Sequence, residues 1–397
     1  MKIINALILS CLISTSCFCF AQNGKKGYQI VGDVKNIPSN WVYLKLMKRD
    51  QKNKLYWPTI DSACVLNGKF SLHRDTILAD PGWASSISYK DSTSKKQTQL
   101  YFRSPYLKNG KASSHGSFIL ENADIFIDGD LRNNKDVSIK GSKETDFSMQ
   151  YGLIYPPSIY IINKKIDSLK TISATEKLAL AEAERTEMLK DFKKTFKQII
   201  ADNSNVWMAL LNTYEYADYF SLAELEEMAA IFNKELMKGP TGQKLSTYIA
   251  QSKILLTDQI FPAFSYVDAT KKKFNLNDVK GKKGTLVVFW ASWCGPCRAE
   301  IPELKTFYAE YKNKGIKLLS ISIDHDIADW KKALNREQMP WVNLSNLPGD
   351  YKEITSKYNI KYIPAMFLLD GNNKLVLVNP NDFKLVKEKV SDIVKGD

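Results

Sequence analysis

Cys294 and Cys297 stand two residues apart in Trp293-Cys294-Gly295-Pro296-Cys297, a spacing that serves either redox or metal chemistry. In the first turn of a helix, that spacing brings two sulfurs within disulfide distance. Pro296 suits an early helical position, where its missing N–H would go unbonded anyway. Cys294 then faces the unpaired N–H groups and positive dipole end of the helix, which favour thiolate over thiol. A thiolate is the species that attacks disulfides, so Cys294 is the expected nucleophile and the more exposed sulfur. Cys297, one turn deeper, is expected to be shielded and to act as the resolving thiol. Zinc is the rival occupant, but it needs four ligands, and the last 140 residues offer only His325 besides the pair. No metal and no cofactor is therefore expected.

The elements around the pair fit a redox role. Thr285 to Trp290 is an apolar, β-branched run of the kind that forms a buried strand, and a helical pattern from about Pro296 to Lys314 follows it. Further on come a strand over 316–323, a helix from about Ala328 to Glu337, a strand over 365–369 and a hairpin through Gly371-Asn372 into 375–378. Strand–helix–strand and then a hairpin predicts a mixed sheet covered by helices. Asp324-His325-Asp326 lies between a strand and a helix, where an N-cap is the expected role and a metal site the alternative.

The preceding chain has two other periods. From Tyr28 to about Gly141, short β-branched and aromatic runs alternate with turn signals such as Asn67-Gly68 and Asp80-Pro81-Gly82, which predicts an all-β, sandwich-like unit. It contains no catalytic constellation: Glu121, His73 and His115 are isolated, and Cys64 sits among apolar neighbours typical of a buried strand. From about Ser142 to Leu256 the period becomes helical, with Leu189, Phe192, Phe196, Ile199 and Ile200 in one stripe. Ser221 with Glu224 reads as a capping box, and Gly239-Pro240 as a stop. Trp207, Tyr214, Tyr216, Tyr219 and Phe220 form either a ligand groove or helix-to-helix core.

The first residues bear on the compartment. Met1-Lys2 is followed by an uncharged stretch from Ile3 to Ala21 and then by a polar run, the pattern of a secretory signal cleaved after Ala21. The same stretch is just long enough to span a bilayer uncut, and Cys17 offers a lipidation site without the usual Leu three residues before it. Removing residues 1–21 leaves Cys64, Cys294 and Cys297, too few for a disulfide scaffold. The chain is thus read as multi-domain: signal peptide 1–21, β-rich domain 22–142, α-helical region 143–257 and α/β domain 258–397. At 397 residues it is too long for one compact core. The net charge of +13 is scattered along all three stretches with no stripe of interleaved aromatics, so no nucleic-acid partner is expected.

The segment from Phe289 to Pro302 resembles the active-site segment of the TlpA/ResA-like thioredoxins, thiol-disulfide oxidoreductases of the bacterial cell envelope. The resemblance covers about the last 140 residues and implies a thioredoxin fold. It includes Phe261-Pro262-Ala263-Phe264, similar to the family's entry strand, and Leu276 to Lys282. Ile363-Pro364 matches the family's cis-proline beside the cysteines, and Pro302 the proline that kinks the active-site helix. The β part is similar to an uncharacterised domain that precedes such thioredoxins in some Gram-negative chains.

The resemblance implies a substrate-binding surface formed by Trp293, Gly295, Pro296, Ile363 and Pro364, where the Ile363 backbone would pair with a substrate in β fashion. It further implies protein disulfide substrates, a membrane thiol-disulfide electron donor, a periplasmic location and a link to cytochrome c maturation. Thioredoxins proper keep a buried Asp six residues before the first Cys; Val288 holds that position here. Glu300 lies one helical turn beyond Cys297 on the same face, and envelope relatives carry a Glu there. It is the candidate for proton exchange with Cys297, the alternative being a solvated Glu paired with Arg298 or Lys305. Two other functions remain in view. A peroxiredoxin-like peroxidase needs a Thr where Ala291 stands, and an envelope binding protein would place its main function in the N-terminal domains.

Overall fold

The computed structural model describes residues 27–50, 54–107, 110–132, 137–154, 157–171, 175–347, 349, 351–380 and 383–396. The signal segment 1–21 lies outside the described residues. Among them, no helix is long and apolar enough to cross a membrane. The chain separates into two compact units, one ending at Gln150 and one starting at Tyr151.

The first unit is a β-sandwich. Its strands are β1 (Tyr28–Lys35), β2 (Trp41–Leu46), β3 (Thr59–Cys64), β4 (Lys69–Arg74), β5 (Gly82–Lys90), β6 (Phe118–Leu120), β7 (Asp124–Asp130) and β8 (Ser138–Lys140). One sheet has the order β8-β7-β1-β4 and the other β6-β5-β2-β3. Alternate residues of both sheets, Ile30 and Leu72 from one and Leu44 and Ile87 from the other, meet in a single core. The same alternation corrects the reading of Cys64. In β3 it turns Ala63 inward and Cys64 outward, so the thiol is exposed.

Glu121 also departs from expectation: it is buried, accepting from Ser142 Oγ at 2.6 Å and from the Glu144 N–H at 3.0 Å. It thereby satisfies an otherwise orphaned amide at the start of α1 (Lys143–Gln150), whose Met149 enters the sandwich core.

The second unit joins a helical layer to an α/β fold. The layer comprises α2 (Pro157–Thr171), α3 (Thr175–Asp202), α4 (Trp207–Glu215), α5 (Leu222–Ile231) and α6 (Pro240–Ile254). Ser221 and Glu224 form the reciprocal capping box of α5. Gly239-Pro240 is a restart as well as a stop: Gly239 caps a short turn of helix and Pro240 opens α6.

The α/β part contains β9 (Ser265–Val267), β10 (Lys273–Asn275), β11 (Gly284–Trp290), α7 (Gly295–Tyr311), β12 (Ile316–Ser322), α8 (Ile327–Glu337) and β13 (Val342–Ser345). It ends with α9 (Tyr351–Lys357), β14 (Ala365–Asp370), β15 (Leu375–Val378) and α10 (Phe383–Lys395). The sheet order is β10-β9-β13-β12-β11-β14-β15, with β11 parallel to β12 and antiparallel to β14. β11 is buried throughout, because Leu286 and Val288 face α7 and α10 while Val287 and Phe289 face α8 and α9. The expected entry strand over 261–264 is not a strand: Ile260 makes a single bridge to Lys374, Pro262 has no N–H to continue it, and the next ladder begins at Ser265. Phe261 is buried there instead, stacked on Tyr358.

Candidate active site

β11 delivers the chain to the centre of the sheet, and α7 leaves from its end. Ile323 N–H donates to the Trp290 carbonyl at 2.9 Å, tying the ends of β11 and β12 together. Asp324, just beyond β12, is buried and accepts from Ser292 N–H, Ser292 Oγ (2.6 Å) and Ser322 Oγ (2.7 Å). This carboxylate fixes the turn that presents Cys294, a role the sequence reading did not assign to it. Its neighbour Asp326 is the N-cap of α8, accepting from Ala328 N–H at 2.6 Å. No group of acidic, His or Cys residues suited to a metal occurs among the described residues.

Cys294 is the N-cap of α7 and is joined to Cys297 in a disulfide, with Cα atoms 5.3 Å apart. The Cys297 N–H donates to Cys294 Sγ at 3.1 Å, the bond expected to hold a thiolate at a helix start. Pro296 occupies the first turn of the helix, and Pro302 lies inside it. Both sulfurs are covered in the disulfide state, Cys294 being 4% and Cys297 3% exposed. The expected contrast in exposure is therefore not there. What separates the two sulfurs is their place on the helix: Cys294 receives the amide, and Cys297 lies on the Glu300 side.

Trp293 is 58% exposed, and the space around the Gly295 α-carbon is open. Together with Pro296 they form a bare rim beside the disulfide. The Ile363–Pro364 peptide is cis, and the Ile363 carbonyl oxygen lies 3.6 Å from Cys294 Sγ. The fold thus brings Trp293, Gly295, Pro296, Ile363 and Pro364 to the same end of the sheet as the sulfurs.

Glu300 Oε2 is buried with no hydrogen-bond partner. Burial, and secondarily the nearby Glu303 carboxylate, push the Glu300 carboxyl above its ordinary value. Arg298, one possible surface partner, gives its Nε to Glu337 at 2.8 Å. Val288, at the position of the missing Asp, is buried in the apolar core, so this side of the sheet supplies no second acid. Glu300 and Pro364 both line a cleft of about 1740 Å³ that extends beneath the helical layer.

A clamp joins that layer to the cis-proline loop. Lys361, 11% exposed, donates to the Tyr214 carbonyl and sits 4.7 and 4.6 Å from the centroids of the Tyr214 and Tyr248 rings. Asp218 Oδ2 lies 3.8 Å from its ammonium, and burial still lowers the lysine's affinity for its proton. Asn359 Nδ2 donates to the Tyr248 carbonyl and to Ser252 Oγ, both at 2.8 Å. The aromatic cluster is divided between core and cleft lining. Trp207 is core, Phe220 is buried but borders the cleft, and Tyr216 and Tyr219 are half-buried on it. Lys361→Met leaves the Tyr214 carbonyl without its donor, and is expected to cost about 1–3 kcal/mol of stability in urea unfolding. An unchanged midpoint and slope would show that the clamp carries no energy.

A helix-capping dithiol at the end of a central strand, with a cis-proline carbonyl beside it, defines a thiol-disulfide oxidoreductase on a thioredoxin fold. Residues 256–394 match the family model described as Redoxin. Thiol-disulfide oxidoreductase ResA of Bacillus cereus is 28% identical over 142 residues, which are 36% of this chain and 80% of the relative. The ResA of Bacillus thuringiensis is 30% identical over 29% of this chain, but only 64% of that relative is spanned. Thioredoxin-like protein YneN of Bacillus subtilis is 31% identical over 34% of this chain and 78% of its own length. Among solved structures, the thioredoxin domain of a thiol-disulfide oxidoreductase from Bacteroides vulgatus is 31% identical, with a TM-score of 0.33 over 35% of this chain and 99% of that one. Through its C-terminal part the chain belongs to the thioredoxin-like thiol-disulfide oxidoreductases, and residues before 256 are additional to the matched region.

Proposed function

We propose that the protein is exported to the cell envelope and there reduces disulfides in other proteins. The Cys294 thiolate attacks a substrate disulfide, forming a mixed disulfide and releasing one substrate thiolate. Glu300 takes the proton of the Cys297 thiol, and the resulting thiolate attacks Cys294 Sγ. The second substrate sulfur leaves and is protonated, and the two electrons gained by the substrate are those lost in closing the Cys294–Cys297 disulfide. A membrane thiol-disulfide donor then returns two electrons and two protons to the pair. Export is supported by the uncharged stretch from Ile3 to Ala21 behind Lys2. Maturation of apocytochrome c is the pathway that the family resemblance suggests.

The observation that supports the reductive direction is the short list of groups placed to stabilise a Cys294 thiolate. The thiolate has one amide bond and a helix N-terminus, but Gly295 and Pro296 add no charge, and ionised Glu300 opposes a second anion nearby. A strong oxidant needs an over-stabilised thiolate. The expected midpoint is therefore near thioredoxin's, about −270 mV, rather than the roughly −120 mV of a periplasmic oxidant. Equilibration of the protein against dithiothreitol or glutathione buffers measures it. A midpoint near the oxidant value would make the protein a disulfide donor.

A further inference from the structure

The cleft beneath the helical layer is about 1740 Å³, larger than the roughly 300–1,000 Å³ typical of small-molecule sites. One end reaches Glu300 and Pro364 of the redox site. Another part of its wall is α3, which lies outside the region shared with the Redoxin family model. Its contribution is one-signed: Arg185, Lys190, Lys193, Lys194 and Lys197 line the cleft, and no acidic residue of α3 does. Glu215 and Asp218 act on Lys361, which leaves Asp167, Glu224 and, at the redox site, Glu300 as the acidic lining, while Lys190 also lies 3.2 Å from Glu187 of its own helix. Glu224 is shared by Lys193 and Lys197, at 3.0 and 2.9 Å.

The lining also carries unused hydrogen-bonding groups, one on α3 and one on α2. Arg185 Nε, a donor, and Asn163 Oδ1, an acceptor, are both buried without partners, and both residues line the cleft. Such groups are uncommon in a finished core and are what a peptide's carbonyl and amide require. Tyr216 and Tyr219 add half-buried ring surface to the lining.

We infer that this cleft holds the stretch of substrate polypeptide flanking the attacked cysteine, and that the basic face of α3 selects stretches bearing acidic side chains. The inference rests on the reading of the protein as a protein-disulfide reductase, and gives the helical layer the task of choosing the substrate.

Two peptide disulfides of equal length test it in the full chain, one with Glu and one with Lys at the positions flanking cysteine. The expected kcat/KM is about tenfold higher for the Glu peptide, and this preference shrinks as salt rises. In Lys190→Glu/Lys194→Glu the ratio of the two values should fall to one or below, a comparison made within a single protein and so indifferent to its active fraction. Equal values for the two peptides in the unmodified protein overturn the inference, whether or not the double variant folds.

Fluorescence anisotropy with Cys→Ser forms of both peptides separates this inference from the function it rests on. Charge-selective binding of these unreactive peptides without reduction of either disulfide would sink the reductase reading and leave the cleft assignment standing. Reduction of both disulfides at equal rates with equal binding would do the reverse.

Discussion

Cys297→Ala is expected to stop the reaction at the covalent stage, with a substrate held on Cys294, while Cys294→Ser abolishes exchange outright. The asymmetry follows from the start of α7. Only Cys294 Sγ accepts a backbone amide, that of residue 297, and only it lies 3.6 Å from the Ile363 carbonyl, where a substrate strand would run. Cys297 is buried behind it and serves as the thiol that releases the product. Intact-mass measurement after incubation with a peptide disulfide reads the result directly: one peptide added to Cys297→Ala, none to Cys294→Ser. The same variant, recovered from cells, carries the physiological substrate attached. Accumulation of adduct on Cys297 in Cys294→Ser would reverse the two roles. The single described cysteine outside the pair, Cys64, is exposed and should be changed to Ser in both variants, so that it does not contribute adduct.

Glu300→Gln is expected to slow resolution of the mixed disulfide by about a hundredfold or more, the usual worth of a positioned acid–base group. Its carboxyl is buried on one oxygen without a partner, and no Asp stands in the β11 position occupied by Val288. The same variant has a thermodynamic signature. Burial raises the Glu300 pKa above its ordinary 4.5, so between the two values the folded protein binds a proton that the unfolded chain has released. Stability from this group is complete below 4.5 and is lost as pH rises through the folded value. Glu300→Gln should therefore remove a downward slope, and the variant should gain stability relative to the parent as pH is raised. Denaturant titrations from pH 4 to pH 8 read the slope, and stopped-flow exchange reads the rate. Parallel stability curves together with unchanged exchange would reduce Glu300 to a surface charge.

What was legible in the sequence was local. The spacing of the cysteines, Pro296 in the first turn, the apolar run before them and the helical period after them all lie within about 30 residues, and each is fixed by backbone geometry. The hairpin through Gly371-Asn372 was legible for the same reason. Asp324 was not, because its importance comes from β11 and β12 ending side by side, which lets one carboxylate hold a turn 32 residues away. Glu121 was missed likewise: an acid on a strand reads as solvated until a helix start 23 residues on is found resting against it. Cys64 was misjudged because apolar neighbours on a strand lie on alternate faces, and the register that decides which face is buried is not written locally. The roles of the tyrosines in the helical layer depend on Lys361, more than a hundred residues later, filling the space between two of them.

The Lys361 clamp gives the helical layer a direct mechanical connection to the loop beside the redox sulfur. The loop that ends at Pro364 touches the redox sulfur at one end and is gripped by α4 and α6 at the other. A ligand of the helical layer would bind the dithiol and disulfide forms unequally wherever the loop it grips is arranged differently in the two. Thermodynamic reciprocity then requires the midpoint potential to move by the same factor, about 30 mV for each tenfold difference in affinity. A domain added in front of an ordinary redox module can in this way tune when the module gives up its electrons, with no change at either cysteine.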